Sequence, residues 1–220
     1  MPNWAYSKVT IVGDHTEVAT LKHKLAEPYA DPHNPNKLVT GEFLLWNIVK
    51  PSNLSAYVGD EGKAFQEIIN ADPDLADLNK PAELPNDLDT ALDSLLPKIL
   101  YEMATSDSWY EWNCRNWGTK WEVGSRAVCE FEMTTPDDRY EITYRMETAW
   151  SPPFEALAKL AEQYPSITIS LSSIDESDLF AMESEWSGGE NIFADDIDIT
   201  HEVGIELRGY CNLECCNEYE

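Results

Sequence analysis

Apolar and polar residues alternate from Asn3 to Val12, which predicts a strand, and at Gly13-Asp14 the spacing becomes helical, with Val18, Leu21 and Leu25 on one face. Asp14 is placed to cap this helix, and Glu17 three residues later completes a capping-box spacing. Pro28, Pro32 and Pro35 predict a loop, and Glu42 to Val49, rich in large apolar groups, predicts a second strand ended by Lys50-Pro51. Residues 52–107 read as a helical insertion, with Phe65, Ile68 and Ile69 on one face and Leu88, Leu92, Leu95, Leu96, Ile99, Leu100 and Met103 on another. Pro97 predicts a kink near Leu96, because an interior proline removes a helix hydrogen bond and clashes with the preceding turn.

From Arg126 the period is two. Ala127, Cys129, Phe131 and Met133 alternate with Arg126, Val128, Glu130 and Glu132, and Thr135-Pro136-Asp137-Asp138 turns the chain into Tyr140, Ile142, Tyr144, Met146, Thr148 and Trp150. Ser151-Pro152-Pro153 signals a helix start, followed at helical spacing by Phe154, Leu157, Leu160, Ala161 and Tyr164 up to Pro165. Ile167, Ile169 and Leu171 then predict a strand, so the stretch from Tyr140 to Ile174 reads as a strand-helix-strand unit with parallel pairing. Phe180, Met182 and Trp186 alternate with Glu183 and Glu185, Gly188-Gly189 supplies a tight turn, and a long alternating run follows. In that run Ile197, Ile199, His201, Val203, Ile205 and Leu207 are expected on one face, and Asp196, Asp198, Glu202 and Glu206 on the other.

Charge changes the picture more than any single motif. Among 220 residues, 41 acidic side chains stand against 15 basic ones, a net charge of −26. Residues 171–220 hold 14 of the acids against Arg208 alone. Nonspecific nucleic-acid affinity comes mainly from Lys and Arg displacing counterions, so direct binding to a nucleic-acid backbone is not expected. A one-signed surface instead steers basic partners. The 43% hydrophobic and 11% aromatic content supports a globular fold. The first residues lack a basic-then-apolar leader, no window has the length of a membrane span, and five cysteines make no disulfide framework. A reduced, cytoplasmic location is expected, with no membrane association.

Three segments together resemble the YubB-like family of phage and plasmid proteins. They are Met1-Pro2-Asn3-Trp4 leading to Val9-Thr10-Ile11-Val12-Gly13, the block Trp112-Asn113-Cys114-Arg115-Asn116-Trp117-Gly118-Thr119-Lys120-Trp121, and Glu147-Thr148-Ala149-Trp150-Ser151-Pro152-Pro153. The resemblance covers residues 1 to about 174 and implies a mobile-element origin, a host-cell location and a ferredoxin-like domain; it implies no catalytic residues. With the patterning above, the expected fold class is α+β. It is a ferredoxin-like mixed sheet with helices on one face, a helical insertion and an additional C-terminal β-hairpin. The expected parts are an N-terminal strand-helix-strand segment (1–50), the insertion (51–108) and the ferredoxin-like remainder with its acidic hairpin (109–220), all within one compact unit.

Candidate sites follow from charge and aromatic content. Carboxylates two apart on a strand are about 6.8 Å apart, of the order of successive phosphates. A ladder of Asp196, Asp198, Glu202 and Glu206, extended by Glu183, Glu185 and Asp195, therefore has the spacing of a nucleic-acid mimic; the plainer reading is a solvated strand face guarded by charge. Trp109, Tyr110, Trp112, Trp117 and Trp121, with Arg115, Lys120 and Arg126, have the composition of a base-stacking platform. Packing is the competing reading. Cys211, Cys215, Cys216 and His201 lack zinc-site spacing, and Asp195, Asp196 and Asp198 lack a calcium loop. Glu130 with Glu132, or Glu183 with Glu185, places two carboxylates on one face, and Cys114 has no local base. No phosphate loop or nucleophile elbow is present. The expectation is a non-enzymatic, phage-encoded inhibitor without cofactor or metal. Its acidic surface would bind a basic host protein, such as a defence nuclease or another nucleic-acid-binding complex, and an anti-CRISPR role is one version. The alternative is a nucleotide or single-strand binding module built on Trp112, Arg115, Trp117, Lys120 and Trp121.

Overall fold

The computed structural model describes residues 3–59 and 108–213. The chain divides into two compact units, one made of Met1–Lys50 with Asn113–Glu220 and the other of Pro51–Trp112. Of the second unit, the described residues include a short helix, α2 (Leu54–Val58), and the start of α3 (Trp109–Trp117). Within it Tyr57 lies edge-on to Trp112 with ring centroids 5.6 Å apart. The expected apolar helix faces between residues 60 and 107, with the kink at Pro97, fall outside the described residues.

The first unit is built on β1 (Trp4–Gly13), whose alternation buries Ala5, Ser7, Val9, Ile11 and Gly13 on one side. Helix α1 (His15–Leu25) follows, and Asp14 caps it by accepting the N–H groups of Thr16 and Glu17 at 2.9 and 3.1 Å. The chain returns to the sheet through β4 (Ala127–Thr134) and β5 (Tyr140–Ala149), then α4 (Phe154–Gln163) and β6 (Thr168–Asp175). The hairpin β7 (Ala181–Ser187) and β8 (Glu190–Asp196) extends the sheet, turning through Gly188 and Gly189 at φ +65° and +85°, and α5 (His201–Arg208) ends the described chain. Strand order is β4-β5-β1-β6-β7-β8. Its first four strands, with α1 and α4 as crossovers, have the split β-α-β arrangement of a ferredoxin-like domain. The α+β ferredoxin-like fold is thus present.

Pairing direction differs from the expectation. Strands β5 and β6 run in the same sense, as a helical crossover requires, but β1 lies between them and pairs antiparallel with both. Every pairing in the six-stranded sheet is antiparallel. The sheet is not mixed, because the N-terminal strand fills the gap that a local strand-helix-strand unit leaves open.

The helices also occupy both faces. Helices α1 and α4 lie on the side of Val9, Ile11, Ile142, Tyr144, Ile169 and Leu171, where Phe154 packs 4.9 Å from Trp186. Helix α5 lies on the opposite side, where Leu207 joins Ile174 and Ala181 with Tyr6, Ile197, Ile199 and Val203 around them. This segment was expected as a continuing strand. Its apolar residues alternate, but Ile199, Val203 and Leu207 are also four apart. Thr200 accepts the Val203 N–H at 3.3 Å, and Gly209 at φ +83° terminates the helix. Capping decides between the two periods.

Two further segments depart from expectation. Pro28 to Val39 forms a small hairpin, β2 (Tyr29–Asp31) with β3 (Asn34–Val39), rather than an unpaired loop. Glu42 to Val49 is a buried turn rather than a strand, with a 3-10 segment at Leu45–Asn47. Its backbone donors are taken by a side chain: the Glu122 carboxylate accepts the N–H groups of Leu45 (2.7 Å), Trp46 (2.9 Å) and Val123 (2.9 Å), and the Tyr29 hydroxyl (3.1 Å). A sheet ladder is therefore unnecessary to satisfy them.

Strand β4 carries a bulge between Cys129 and Phe131. It shifts the alternation by one residue, so Cys129 and Glu132 fall on the α1 side while Val128, Phe131 and Met133 fall on the other. The edge is blunted as well: the Cys129 N–H donates to Glu42 and the Ala127 N–H to the Gly124 carbonyl.

Candidate functional site

The hairpin β7–β8 gathers charge on one face. Glu183 sits directly opposite Asp195, and Glu185 opposite Phe193, so three carboxylates surround one half-exposed aromatic ring on the α5 side of the sheet. Like charges directly opposite on a sheet are destabilising. Among the described residues no Lys or Arg forms an ion pair with any of the three; Glu183 accepts only a long hydrogen bond from Ser172 at 3.5 Å.

The longer acidic ladder is not formed. Asp196 is paired with Met182 and therefore faces the other side of the hairpin from Asp195. Asp198 lies in the connection to α5, and Glu202 and Glu206 lie one turn apart on that helix. Glu206 is engaged: it pairs with Lys8 at 2.8 Å, which holds its carboxyl below the usual range. Arg145 donates to the Glu206 carbonyl and, through Nε, pairs with Glu130 at 2.6 Å. Glu202 is also held low, by its own N–H and by Thr200. What remains of the expected site is a compact patch of Glu183, Glu185 and Asp195.

The aromatic block divides differently. Trp117 is buried, donates its indole N–H to the Val49 carbonyl at 3.0 Å and lies edge-on to Trp46. Trp112 lies on the same helix, against Tyr57, and Arg115 is exposed there. Within the first unit, Trp117 packs with Trp46 and makes no ring contact with Trp121 among the described residues. Trp121 instead joins residues remote in sequence. The Lys120 ammonium lies 4.9 Å from the Trp121 ring and 4.5 Å from the Trp150 ring, Trp4 is 6.2 Å from Trp121, and Arg126 covers Trp4 at 5.0 Å. Trp150 sits at φ +74° and is 43% exposed. For a bulky residue this conformation costs about 1–3 kcal/mol. Sequence reasoning placed Trp4 and Trp150 on strands and missed their role here; the only local signal was the proline pair after Ser151.

Other chemical candidates are dispersed. The bulge separates Glu130 from Glu132: the first meets Arg145, the second meets Lys22 and the Tyr140 hydroxyl on the α1 side. Burial pushes the Cys129 thiol up, away from the thiolate a nucleophile needs. His201 begins α5 and Cys211 follows it, while Cys215 and Cys216 lie outside the described residues. Among the described residues no group of three His, Cys, Asp or Glu side chains could hold a metal ion. No helix among them is long and apolar enough to cross a membrane.

Strands β1, β4, β5 and β6 with α1 and α4 define the ferredoxin-like arrangement. The family model that matches residues 129–201 is described as a ferredoxin-like domain in Api92-like protein. The crystal structure of protein api92 from Yersinia pseudotuberculosis is similar at 8% identity and a TM-score of 0.43, over 91% of this chain and 99% of that one. No curated protein matches the sequence.

Proposed function

We propose that this protein is a non-enzymatic binding module whose β7–β8 face engages a basic partner protein. The observation that carries the reading is the cross-strand pair Glu183 and Asp195, with Glu185 beside it and no ion-paired cation among the described residues. Placing like charges opposite each other costs about 0.2–1 kcal/mol relative to a neutral pair. A cationic partner removes that repulsion on binding, whereas strand-edge protection alone does not require facing acids. The net charge of −26 adds long-range steering toward such a partner.

The resemblance to YubB-like phage and plasmid proteins supports a partner among host proteins that handle nucleic acids. A CRISPR effector, with its positively charged strand channel, is one concrete version. The acids act as a compact patch, since the extended phosphate-like ladder is not formed.

Purified basic defence nucleases should bind the wild-type chain in a salt-dependent manner. The variant Glu183→Gln/Glu185→Gln/Asp195→Asn should lose that binding while becoming slightly more stable to denaturant. Binding unaffected by the triple substitution would remove the hairpin from the reading.

A further inference from the structure

We propose that β8 is a docking edge for an extended basic segment of a partner protein, which adds to the six-stranded sheet as a further antiparallel strand. The inference rests on the acidic reading of the β7–β8 hairpin and specifies how the partner is held, through its main chain as well as its charge.

The two edges of the sheet are treated differently. On β4 the N–H groups of Cys129 and Ala127 are taken by Glu42 and the Gly124 carbonyl. On β8 the Ile197 N–H donates to the Ala181 carbonyl at 2.9 Å, just beyond the pair Asp196 and Met182. Antiparallel alternation then turns the N–H and C=O groups of Asp195 and Phe193 toward β7, and those of Asp196 and Ala194 outward. No backbone bond from another described segment reaches these outward groups. The register shift lies at the turn end of the hairpin, so Phe193 to Asp196 stay in regular pairing and offer an undistorted template. All seven residues of β8 are exposed, Ile192 and Phe193 among them at 59% and 39%.

Charge selects the occupant. Glu183, Glu185 and Asp195 share one face of the hairpin, Asp196 is on the other, and Glu190 follows the turn. Among the described residues none of these five carboxylates is in an ion pair. Two copies pairing through β8 would set Glu190, Asp195 and Asp196 of one against those of the other, and like charges across a ladder repel. The acids therefore guard the edge against a second copy or any acidic strand, while a basic strand relieves the repulsion already present between Glu183 and Asp195.

The order of side chains along β8 gives the pattern of the segment. Every pairing in the sheet is antiparallel, so the incoming strand, read from its N-terminal side, meets Asp196, Asp195, Ala194 and Phe193 in turn. Two adjacent basic residues face Asp196 and Asp195 on opposite sides of the sheet, a third residue lies beside the small Ala194, and an apolar, β-branched fourth packs against the Phe193 ring. Lys-Arg-Thr-Val is one such sequence.

Fluorescence anisotropy of the full chain with labelled peptides as long as β8 and centred on Lys-Arg-Thr-Val tests the edge. The parent peptide should bind, and one of the same composition in scrambled order should bind more weakly. N-methylation at the Lys or Thr position, whose N–H groups face β8, should weaken binding by about 2- to 13-fold, the net worth of one hydrogen bond. N-methylation at the Arg or Val position, whose N–H groups face away, should leave it unchanged. Ala194→Pro removes an outward N–H without touching the β7 ladder, and should lose the same binding at a nearly unchanged melting temperature. No saturation at millimolar parent peptide would overturn the proposal, as would equal binding of the scrambled peptide or an Ala194→Pro variant that binds as the wild type does. If both methylation patterns act alike while Glu183→Gln/Glu185→Gln/Asp195→Asn abolishes binding, strand addition fails and the acidic patch stands. If the patterns differ but the triple variant binds as the wild type does, the patch fails and the edge stands. A chain that dimerises in sedimentation, with Ala194→Pro restoring the monomer, would assign the edge to a second copy and overturn the choice of a basic segment.

Discussion

Replacing Glu122 by glutamine changes one atom type at the centre of the buried turn, and the structure says what that change does. Each carboxylate oxygen accepts twice: Oε1 from the N–H groups of Leu45 and Val123, Oε2 from the Trp46 N–H and the Tyr29 hydroxyl. Glutamine has one acceptor oxygen. Its best orientation keeps that oxygen on Leu45 and Val123 and turns the amide NH2 toward Tyr29, whose hydroxyl can rotate to accept. The Trp46 N–H then faces a donor. An orphaned buried N–H costs about 1–3 kcal/mol, and the two retained bonds lose their charge assistance. Relief of carboxylate burial offsets part of this, leaving a net loss of about 2 kcal/mol. For a domain of this size the melting temperature should fall by about 4–8 °C.

Urea unfolding followed by near-ultraviolet circular dichroism measures the loss, and the Trp46 environment should report it directly. Burial outweighs the four donors and raises the Glu122 pKa in the folded chain. A raised carboxyl pKa contributes stability that is full below the unfolded value and declines as pH rises through the folded one. The gap between wild type and Glu122→Gln should therefore be widest in mild acid and narrow toward neutral pH. A variant within 0.5 kcal/mol of wild type, where the orphaned N–H alone predicts about 1–3 kcal/mol, would refute the donor count. A gap that widens with pH would refute the direction of the shift.

Three further outcomes are expected. Gly41→Ala should be among the most damaging single substitutions in the first unit, because a Cβ there lies 2.3 Å from the Gly124 carbonyl oxygen, and backbone cannot move aside; thermal melting should show a loss of at least about 3 kcal/mol or no folded protein. Tyr144→Phe should be neutral or stabilising by about 1 kcal/mol in urea unfolding, since the Tyr144 hydroxyl is buried without a hydrogen-bond partner among the described residues. Stability should fall in acid as Glu206 protonates: its lowered pKa makes its contribution present above the unfolded carboxyl range and lost as pH drops through the folded value, so Glu206→Gln should flatten the acid limb of a pH-stability curve.

Most of the sheet was legible because β1 obeys strict alternation, β5 and β6 follow it over most of their length, and the turns use Gly188-Gly189 and Thr135-Pro136. Helices α1 and α4 were legible from Asp14 and from the proline pair. Pairing partners were not, because the insertion of β1 between β5 and β6 is a long-range choice that local spacing cannot encode. The run from Ile197 to Leu207 satisfied both a period of two and a period near four, and Thr200 and Gly209 carried the signal that separates them. The run of large apolar groups over Glu42 to Val49 is buried in a turn instead, where the Glu122 carboxylate takes the Leu45 and Trp46 donors. Within the candidate site, the placement of Glu183 and Glu185 on a hairpin followed from the Gly188-Gly189 turn, but that turn alone would pair Glu183 with Ala194, and the register shift between Glu185 and Trp186 brings it to Asp195. The stack of Trp4, Trp121 and Trp150 did not, since it depends on a strand terminus, a loop and a strained residue meeting in space.

The residue at Glu130 is the one member of its strand with no partner across the ladder, since Cys129 is opposite Tyr144 and Phe131 opposite Thr143. Deleting it would bring those two pairs into direct succession and leave Ala127, Val128 and Cys129 on the faces they occupy now. What would be lost is the kink and the contact of Glu130 with Arg145. A one-codon deletion at this point should thus be better tolerated than the loss of a paired neighbour, and related chains are free to differ in length there.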